Sequence, residues 1–103
     1  VLVESRAKRA TFLSHVVREA QLSNATVFHG RVESLSGGLD GVISRAFRPP
    51  EAYLKDADRL LVPGGVAVLL TGPPPPSFSG WRVHEMVEYR VSDGTRTRTS
   101  LLR

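Results

Sequence analysis

The chain has 103 residues, which is enough for one small domain. Hydrophobic residues make up 41% of it and charged residues 23%, a composition typical of globular proteins and not of disordered or membrane-spanning chains. Because there is no cysteine, disulfides, thiolate chemistry and cysteine-based zinc sites are excluded. The formal net charge of +4 comes mainly from arginine, which suits phosphates and base edges but is equally compatible with an ordinary basic surface.

The first residues of the chain are already apolar. Val1-Leu2-Val3 is followed at once by charged residues, which is not the pattern of a secretory signal peptide. The run predicts a buried parallel strand over residues 1–4. Since this strand opens the chain and no methionine precedes it, we expect further protein upstream of it.

Helical spacing follows this strand. Ser5 is expected at the N-cap of a helix, because its hydroxyl can accept a hydrogen bond from a free backbone amide of the first turn. Apolar residues then recur at intervals of three and four and predict one buried stripe on the helix. The stripe consists of Phe12, Leu13, Val16, Val17 and Ala20.

Two strands and a second helix are predicted next. Residues 25–29 predict a strand that Gly30 ends, and residues 39–44 predict the strand after it. Pro49-Pro50 indicates the start of a helix, because proline is favoured at the first helical position. This helix is expected to reach about Leu61.

The region after this helix is predicted to be extended. Residues 63–65, Pro-Gly-Gly, are expected to end the helix, and the apolar residues 66–70 predict a fourth strand. The four prolines at 73–76 predict an extended connection.

A β-hairpin is predicted at the C-terminal end, because Asp93-Gly94 lies between the strand-like segments 81–91 and 95–102. The order of elements predicts a single α/β domain over residues 1–103, with a mostly parallel sheet and a C-terminal antiparallel hairpin. This partial Rossmann-like arrangement is typical of class I methyltransferases. Halves of dinucleotide-binding dehydrogenases more often continue with further parallel units.

The candidate site is predicted from the strand ends. Ligands of open α/β sheets bind outside the carboxyl ends of the strands, which brings Glu4, residues 30–33, Ser44-Arg45 and Thr71-Gly72 to one crevice. Glu4 is suited to accept hydrogen bonds from both hydroxyls of a ribose. Its alternative role is to stabilise the positive end of the following helix.

Four blocks of the sequence resemble one known family. They are VESRAKRATFL, FHGRVES, LDGVISRAF and LLVPGG, in the order and spacing of the ribosomal small-subunit RNA guanine-N7 methyltransferase family (RsmG, also called GidB). Gly94-Thr95-Arg96 also resembles the family's Gly-x-Arg stretch before its last strand. The resemblance implies a class I methyltransferase domain that uses S-adenosylmethionine. It implies 16S rRNA or the small ribosomal subunit as the partner, in the cytoplasm.

The resemblance also implies roles for particular residues. Glu4 would hold the ribose of S-adenosylmethionine, and Val32 and Glu33 would line its adenine. Arg45 would belong to the crevice for the cofactor and the reaction. The alternatives are that Glu33 is a solvated surface charge and that Arg45 pairs with Glu4 or Glu33 to stabilise the crevice.

The RNA-facing residues implied by the resemblance are arginines. Arg96 and, less directly, Arg9 would face the RNA. For Arg96 a surface role is equally open, because Arg98 shares its face of the strand.

The implied reaction transfers a methyl group to N7 of a guanine. N7 already carries a lone pair, so attack on the sulfonium methyl group needs no general base, and the sequence offers no base dyad. His15, His29 and His84 lack metal-ligand spacing, and no serine lies in a Gly-x-Ser-x-Gly motif. We therefore expect neither a metal site nor hydrolase activity, and no membrane partner.

Two features depart from the family. The family's first strand with its glycine-rich loop and its N-terminal helices are missing, so we expect the C-terminal portion of a domain, inactive as it stands, with an exposed sheet edge open to self-association. Thr71-Gly72 stands where the family usually has a lysine before glycine. The alternative function is therefore a non-catalytic remnant, or a basic RNA- or protein-binding module on a methyltransferase scaffold. An NAD-type domain would also use Glu4, but the terminal hairpin argues against it.

Overall fold

The structure is a computed structural model that describes residues 1–45, 48–73 and 78–103. Most of the proline run and the last two residues of the LDGVISRAF block lie outside the described residues. The chain forms two compact units, an N-terminal unit, Val1–Leu35, and a C-terminal unit, Ser36–Arg103. The expectation of one domain over residues 1–103 stays a prediction. No helix in the described part of the chain is both long and apolar enough to cross a bilayer.

The N-terminal unit is a small β-α-β arrangement. Strand β1, Leu2–Glu4, pairs in parallel with strand β2, Val27–His29, and helix α1, Ala7–Glu19, connects them. A short 3₁₀ helix, Val32–Ser34, follows β2. Parallel strands need such a crossover, because a tight turn can join only antiparallel neighbours.

Two details of helix α1 differ from the sequence-based prediction. Arg6, with an extended backbone, occupies the N-cap position without a side-chain hydrogen bond, so the N-cap prediction for Ser5 is wrong. The apolar stripe is only partly buried, since Leu13 and Val17 are half-buried while Phe12 is 63% exposed. Two strands of three residues each offer too little surface to cover the whole stripe.

The C-terminal unit is a four-stranded sheet in the order β3-β4-β6-β5. Strands β3 and β4 are parallel, while β6 is antiparallel to both β4 and β5. The α/β fold with parallel strands and a terminal antiparallel hairpin is therefore confirmed. The elements are β3, Leu39–Arg45; helix α2, Pro50–Leu60; β4, Leu61–Thr71; β5, Arg82–Val91; and β6, Gly94–Leu102.

Helix α2 begins and ends close to the predicted positions, but the residues after it differ from the prediction. Pro50 lies at its start and Leu60 at its end, and the Pro-Gly-Gly stretch, residues 63–65, belongs to strand β4. The pairing of β3 with β4 is irregular there, and Gly64 has a φ of +82° that favours glycine. A Cβ at Gly65 would lie 2.9 Å from the carbonyl oxygen of Val62. The stretch is thus an irregularity within a strand, and the prediction that it ends the helix is wrong.

One face of this sheet carries the core. Tyr53, Leu54 and Ala57 of α2 pack with Ala67 and Leu69 of β4 and with neighbouring apolar residues. Successive side chains of a strand point to opposite faces of the sheet. The residues next to Ala67 and Leu69 along β4 therefore lie on the other face, which is less buried. Fully buried side chains of β6 on the core face are Thr97, Thr99 and Leu101.

The other face and one edge of the same sheet are open. Ile43 points away from the core and is 68% exposed. Among the described residues β3 pairs only with β4, so its second edge has unpaired backbone groups. At the opposite edge β5 is rich in charge, with Arg82, Glu85, Glu88 and Arg90, and has a bulge. Charged side chains and bulges keep an edge strand from pairing with another chain, whereas the exposed apolar side chain of Ile43 on β3 gives no such protection.

Candidate functional site

The N-terminal unit brings Glu4 next to the segment after β2. Glu4 ends β1 in register with His29, and the backbone N–H of Gly30 donates to the Glu4 carbonyl oxygen at 3.0 Å. Gly30 is followed by the 3₁₀ helix that contains Val32 and Glu33. A Cβ at Gly30 would lie 2.7 Å from the ring of Phe28, so glycine lets the chain turn closely past that ring. This unit therefore gathers the three residues that the resemblance assigns to ribose and adenine.

The Glu4 side chain is half-buried at the strand end. Its carboxylate forms no hydrogen bond or ion pair with the described residues, whereas Val32 and Glu33 both have interactions. Val32 is half-buried and Glu33 is exposed. Arg9 lies on α1 and is exposed. The functional assignments of these residues stay predictions.

The C-terminal unit has a cavity of about 720 Å³ at the carboxyl ends of β3 and β4. Two of the four strand ends that the sequence rule selected, Ser44-Arg45 and Thr71-Gly72, line this cavity, together with the turn end of the hairpin. The lining includes Ser44, Arg45, Thr71, Gly72, Tyr89 and Arg96.

The charged groups that line this cavity are mainly cationic. Arg45, Arg48 and Arg96 contribute three guanidinium groups, and Asp93 contributes one carboxylate. Arg48 is bound to Asp56 at 2.8 Å, and Arg96 is bound to Asp93 at 3.1 Å. The Arg45 side chain is exposed, and its guanidinium has no hydrogen bond or ion pair within the part of the chain that the structure describes. Its guanidinium is therefore available to an anionic ligand.

The two arginines of β6 differ in their surroundings. Arg98 is bound to Glu85 across the hairpin at 2.6 Å and does not line the cavity. Arg96 lines the cavity, and its guanidinium is held by both oxygens of Asp93 and by the carbonyl of Thr95. Only Arg96 is thus positioned at the candidate site, although both side chains lie on one face of the strand.

The cavity lining also includes residues that were not selected from the sequence, among them Arg48, Tyr53 and Tyr89. A signal was present for Tyr89, since the hairpin turn sets the register that puts Tyr89 opposite Arg96. Nothing comparable marked Arg48 or Tyr53, because their places depend on how α2 packs on the sheet.

Tyr53 both lines this cavity and belongs to the hydrophobic core. Its ring is 5% exposed, and its hydroxyl donates to the carbonyl oxygen of Val68 at 3.0 Å. Burial raises the pKa of the Tyr53 hydroxyl above its ordinary value, because the phenolate would lose its hydration. Tyr53 is therefore a neutral structural donor.

This raised pKa predicts a loss of stability in alkali. In the unfolded chain Tyr53 ionises near pH 10 and in the folded chain only at higher pH, so above about pH 10 the unfolded state has lost a proton that the folded state retains. The free energy of unfolding should then fall by up to about 1.4 kcal/mol per pH unit from this group. Denaturant titrations at increasing pH, followed by Trp81 fluorescence, measure this fall in the free energy of unfolding.

Tyr53→Phe is the control for this pH dependence. The substitution should cost about 1 kcal/mol at neutral pH, because the Val68 carbonyl loses a donor. It should also remove the part of the alkaline decline that Tyr53 causes. If the free energies of unfolding of wild type and Tyr53→Phe fall equally with rising pH, Tyr53 is not the cause of the alkaline loss of stability.

No group of three or more histidine, aspartate and glutamate side chains in the described residues could hold a metal ion.

Comparison with known proteins identifies the family. The family model described as rRNA small subunit methyltransferase G (GidB) matches residues 1–76. Curated proteins named ribosomal RNA small subunit methyltransferase G are similar over most of the chain. The one from Nitratidesulfovibrio vulgaris (strain DP4) is 36% identical over 100 residues, 92% of this chain and 46% of the relative. The one from Lawsonia intracellularis is 37% identical over 101 residues, 92% of this chain and 47% of the relative.

Solved structures show the fold. A mutant of MtNAS in complex with S-adenosylmethionine has a TM-score of 0.76 and 16% identity, over 98% of this chain and 44% of that chain. A putative methyltransferase, yhhF, from Escherichia coli has a TM-score of 0.71 and 15% identity, over 99% of this chain and 63% of that chain. The chain spans about half the length of the curated relatives that it matches. By the match of its sequence, the chain belongs to the rRNA small subunit methyltransferase G family.

Proposed function

We propose that this chain is part of an S-adenosylmethionine-dependent enzyme that methylates N7 of a guanine in bacterial 16S rRNA, in the cytoplasm. The observation that carries the proposal is the family match over residues 1–76, which includes Glu4, Val32, Glu33 and Arg45. The cationic cavity at the strand ends of the C-terminal unit supports an anionic substrate such as RNA.

In this proposal the N-terminal unit binds the adenosine part of the cofactor. Glu4 accepts hydrogen bonds from the ribose hydroxyls, for which its carboxylate has no competing partner among the described residues. Val32 and Glu33 follow the tight turn at Gly30 and line the adenine. The cofactor supplies a methyl group on a positively charged sulfur.

The proposed methyl transfer needs no acid or base catalysis by side chains. The N7 lone pair of guanine forms the new bond to the methyl carbon, the carbon–sulfur bond breaks, and its electron pair stays on sulfur. No proton moves, so no general base is needed, and catalysis rests on holding the two reactants in line. The arginines of the cavity fix the RNA through its phosphates, which fits a role in positioning.

The enzyme in this proposal is longer than these residues. The edge of β3 is open, and the exposed Ile43 lies on that strand, so a further parallel strand could pair there. We propose that this strand comes from an upstream segment that also carries a glycine-rich loop. The relatives have roughly twice the matched length, so they have residues to supply one. We propose that the chain is inactive without that segment, and that its free β3 edge is where two copies would associate.

The test is to extend the chain and identify the methylated atom. The chain, joined to the upstream segment of a curated relative, is incubated with small ribosomal subunits and S-adenosylmethionine labelled on the methyl group. We expect label at a guanine that becomes sensitive to borohydride and aniline cleavage, the behaviour of N7-methylguanine. Label on a ribose or an exocyclic amine would contradict the N7 assignment, and Glu4→Ala should reduce incorporation.

A second candidate function is a non-catalytic RNA-binding module on the same scaffold. It is favoured by Thr71-Gly72, where the family usually has a lysine and where the short Thr71 hydroxyl donates to the Gly72 carbonyl oxygen at 3.2 Å. RNA binding by the extended chain without any incorporation of label would support this function over the enzyme.

A further inference from the structure

We propose that Tyr89 stacks on a base of the RNA substrate, beside Arg96, while Arg45 and Arg48 contact the neighbouring phosphates. The inference deepens the proposed function and rests on it, since it assigns the substrate side of the same site. It concerns only residues of the C-terminal unit that line one cavity.

The hairpin register places the two central residues together. Tyr89 of β5 lies directly opposite Arg96 of β6, and such cross-strand neighbours have Cβ atoms about 4.5–5.5 Å apart on the same face. Tyr89 is 37% exposed, and its hydroxyl forms no hydrogen bond with the described residues. An aromatic ring at the mouth of a cationic cavity is what a nucleic-acid base needs for stacking.

The arginine beside the ring is held in place. Arg96 donates to both carboxylate oxygens of Asp93, at 3.2 and 3.1 Å, and to the Thr95 carbonyl at 3.2 Å. These bonds keep its guanidinium over the hairpin turn next to the cavity. Because less conformational freedom is then lost on binding, a fixed guanidinium is better suited than a mobile one to a planar base or phosphate.

Charge decides which reactant this cavity takes. Three guanidinium groups and the Asp93 carboxylate line it, and Asp56 pairs with Arg48, which leaves one net positive charge, on the unpaired Arg45, and favours anions. The sulfonium of the cofactor is a cation and would be repelled, whereas RNA phosphates would be attracted. Tyr89 adds a surface for the base, which neither a free phosphate nor an acidic peptide would use.

The test measures RNA binding by this 103-residue chain without cofactor. Fluorescence anisotropy with a short single-stranded RNA that contains guanine is compared for wild type, Tyr89→Leu and Tyr89→Phe. We expect Tyr89→Leu to weaken binding about 10-fold, the loss of one stacked base, and Tyr89→Phe to stay within about twofold. Met86→Leu is the matched control on β5, exposed and outside the cavity, and should leave affinity unchanged.

Arginine variants test the phosphate contacts in the same assay. Arg45→Ala should weaken binding and lower its dependence on salt, while Arg82→Ala, on β5 but not in the cavity, should do neither. Unchanged Trp81 fluorescence and thermal unfolding show that each variant is folded.

Several outcomes would overturn the inference: no RNA binding by the wild type, equal affinity of wild type and Tyr89→Leu, or equal losses for Tyr89→Leu and Tyr89→Phe. Displacement of the RNA by S-adenosylhomocysteine, with weaker binding of that ligand to Tyr89→Leu, would assign the cavity to the cofactor and also overturn it. The binding assay contains no methyl donor. Its result therefore remains valid even if the methylation test of the proposed function fails.

Discussion

S-Adenosylmethionine is expected to bind the upstream-extended chain at least about 100-fold more tightly than these 103 residues alone. The residues proposed for ribose and adenine are short segments of the N-terminal unit, and nothing in that unit supplies the glycine-rich loop on which the methionine part would rest. The extension would add that loop, and a strand pairing with β3 would hold it in place. Calorimetric titration of both chains with S-adenosylmethionine and S-adenosylhomocysteine measures the difference.

Two variants and one hydrodynamic measurement control this experiment. Glu4→Ala, made in the extended chain, should lower the affinity for the cofactor through the ribose, whereas Arg45→Ala, in the cavity assigned to RNA, should leave it unchanged. Equal, tight binding by both chains would refute the need for an extension. Sedimentation shows whether the unextended chain self-associates, as pairing of two free β3 edges would allow.

The substitution Leu101→Ala is expected to destabilise the C-terminal unit by about 2–5 kcal/mol. Leu101 is fully buried at 0% exposure, opposite Ala67 of β4 and in the same cluster as Tyr53 and Leu54 of α2. Because the surrounding strands are held by backbone hydrogen bonds, they cannot collapse into the space, and a cavity remains. This loss is a large share of the stability of a small domain.

Denaturant unfolding followed by Trp81 fluorescence measures this effect, because Trp81 packs against the same core. Ile43→Ala is the matched control, since Ile43 is 68% exposed on β3 and should change the free energy of unfolding by less than about 0.5 kcal/mol. A loss at Ile43 as large as that at Leu101 would mean that the open face of the sheet is buried in solution.

Local patterns determined much of this protein from the sequence. The apolar run at 66–70 predicted a strand, Pro50 predicted a helix start, and Asp93-Gly94 predicted a hairpin, all confirmed. Each of these signals acts through neighbouring residues, by the period of a strand, the fixed φ of proline or the geometry of a turn. The strand-end rule likewise selected Arg45 and Thr71-Gly72, which line one cavity.

Predictions that depended on surroundings were less successful. Pro-Gly-Gly at 63–65 normally ends a helix, yet here it lies within β4, where the pairing with β3 accommodates an irregularity. The stripe of α1 was expected to be buried, but burial depends on how much sheet lies beneath the helix, and Phe12 is exposed. Neither outcome can be deduced from residue spacing alone.

Only the tertiary structure decided which side chains meet at the candidate site. It selected Arg96 over Arg98, because Asp93 and Glu85 hold the two guanidinium groups at different places. The hairpin turn already set Tyr89 opposite Arg96, and the pairing of the hairpin with β4 brought both residues to one cavity with the end of β3. The sequence by itself determined the order of elements, the family and the strand ends, because these depend on local preference and spacing. The neighbours across the sheet depend on register and packing between distant segments, which no local pattern contains.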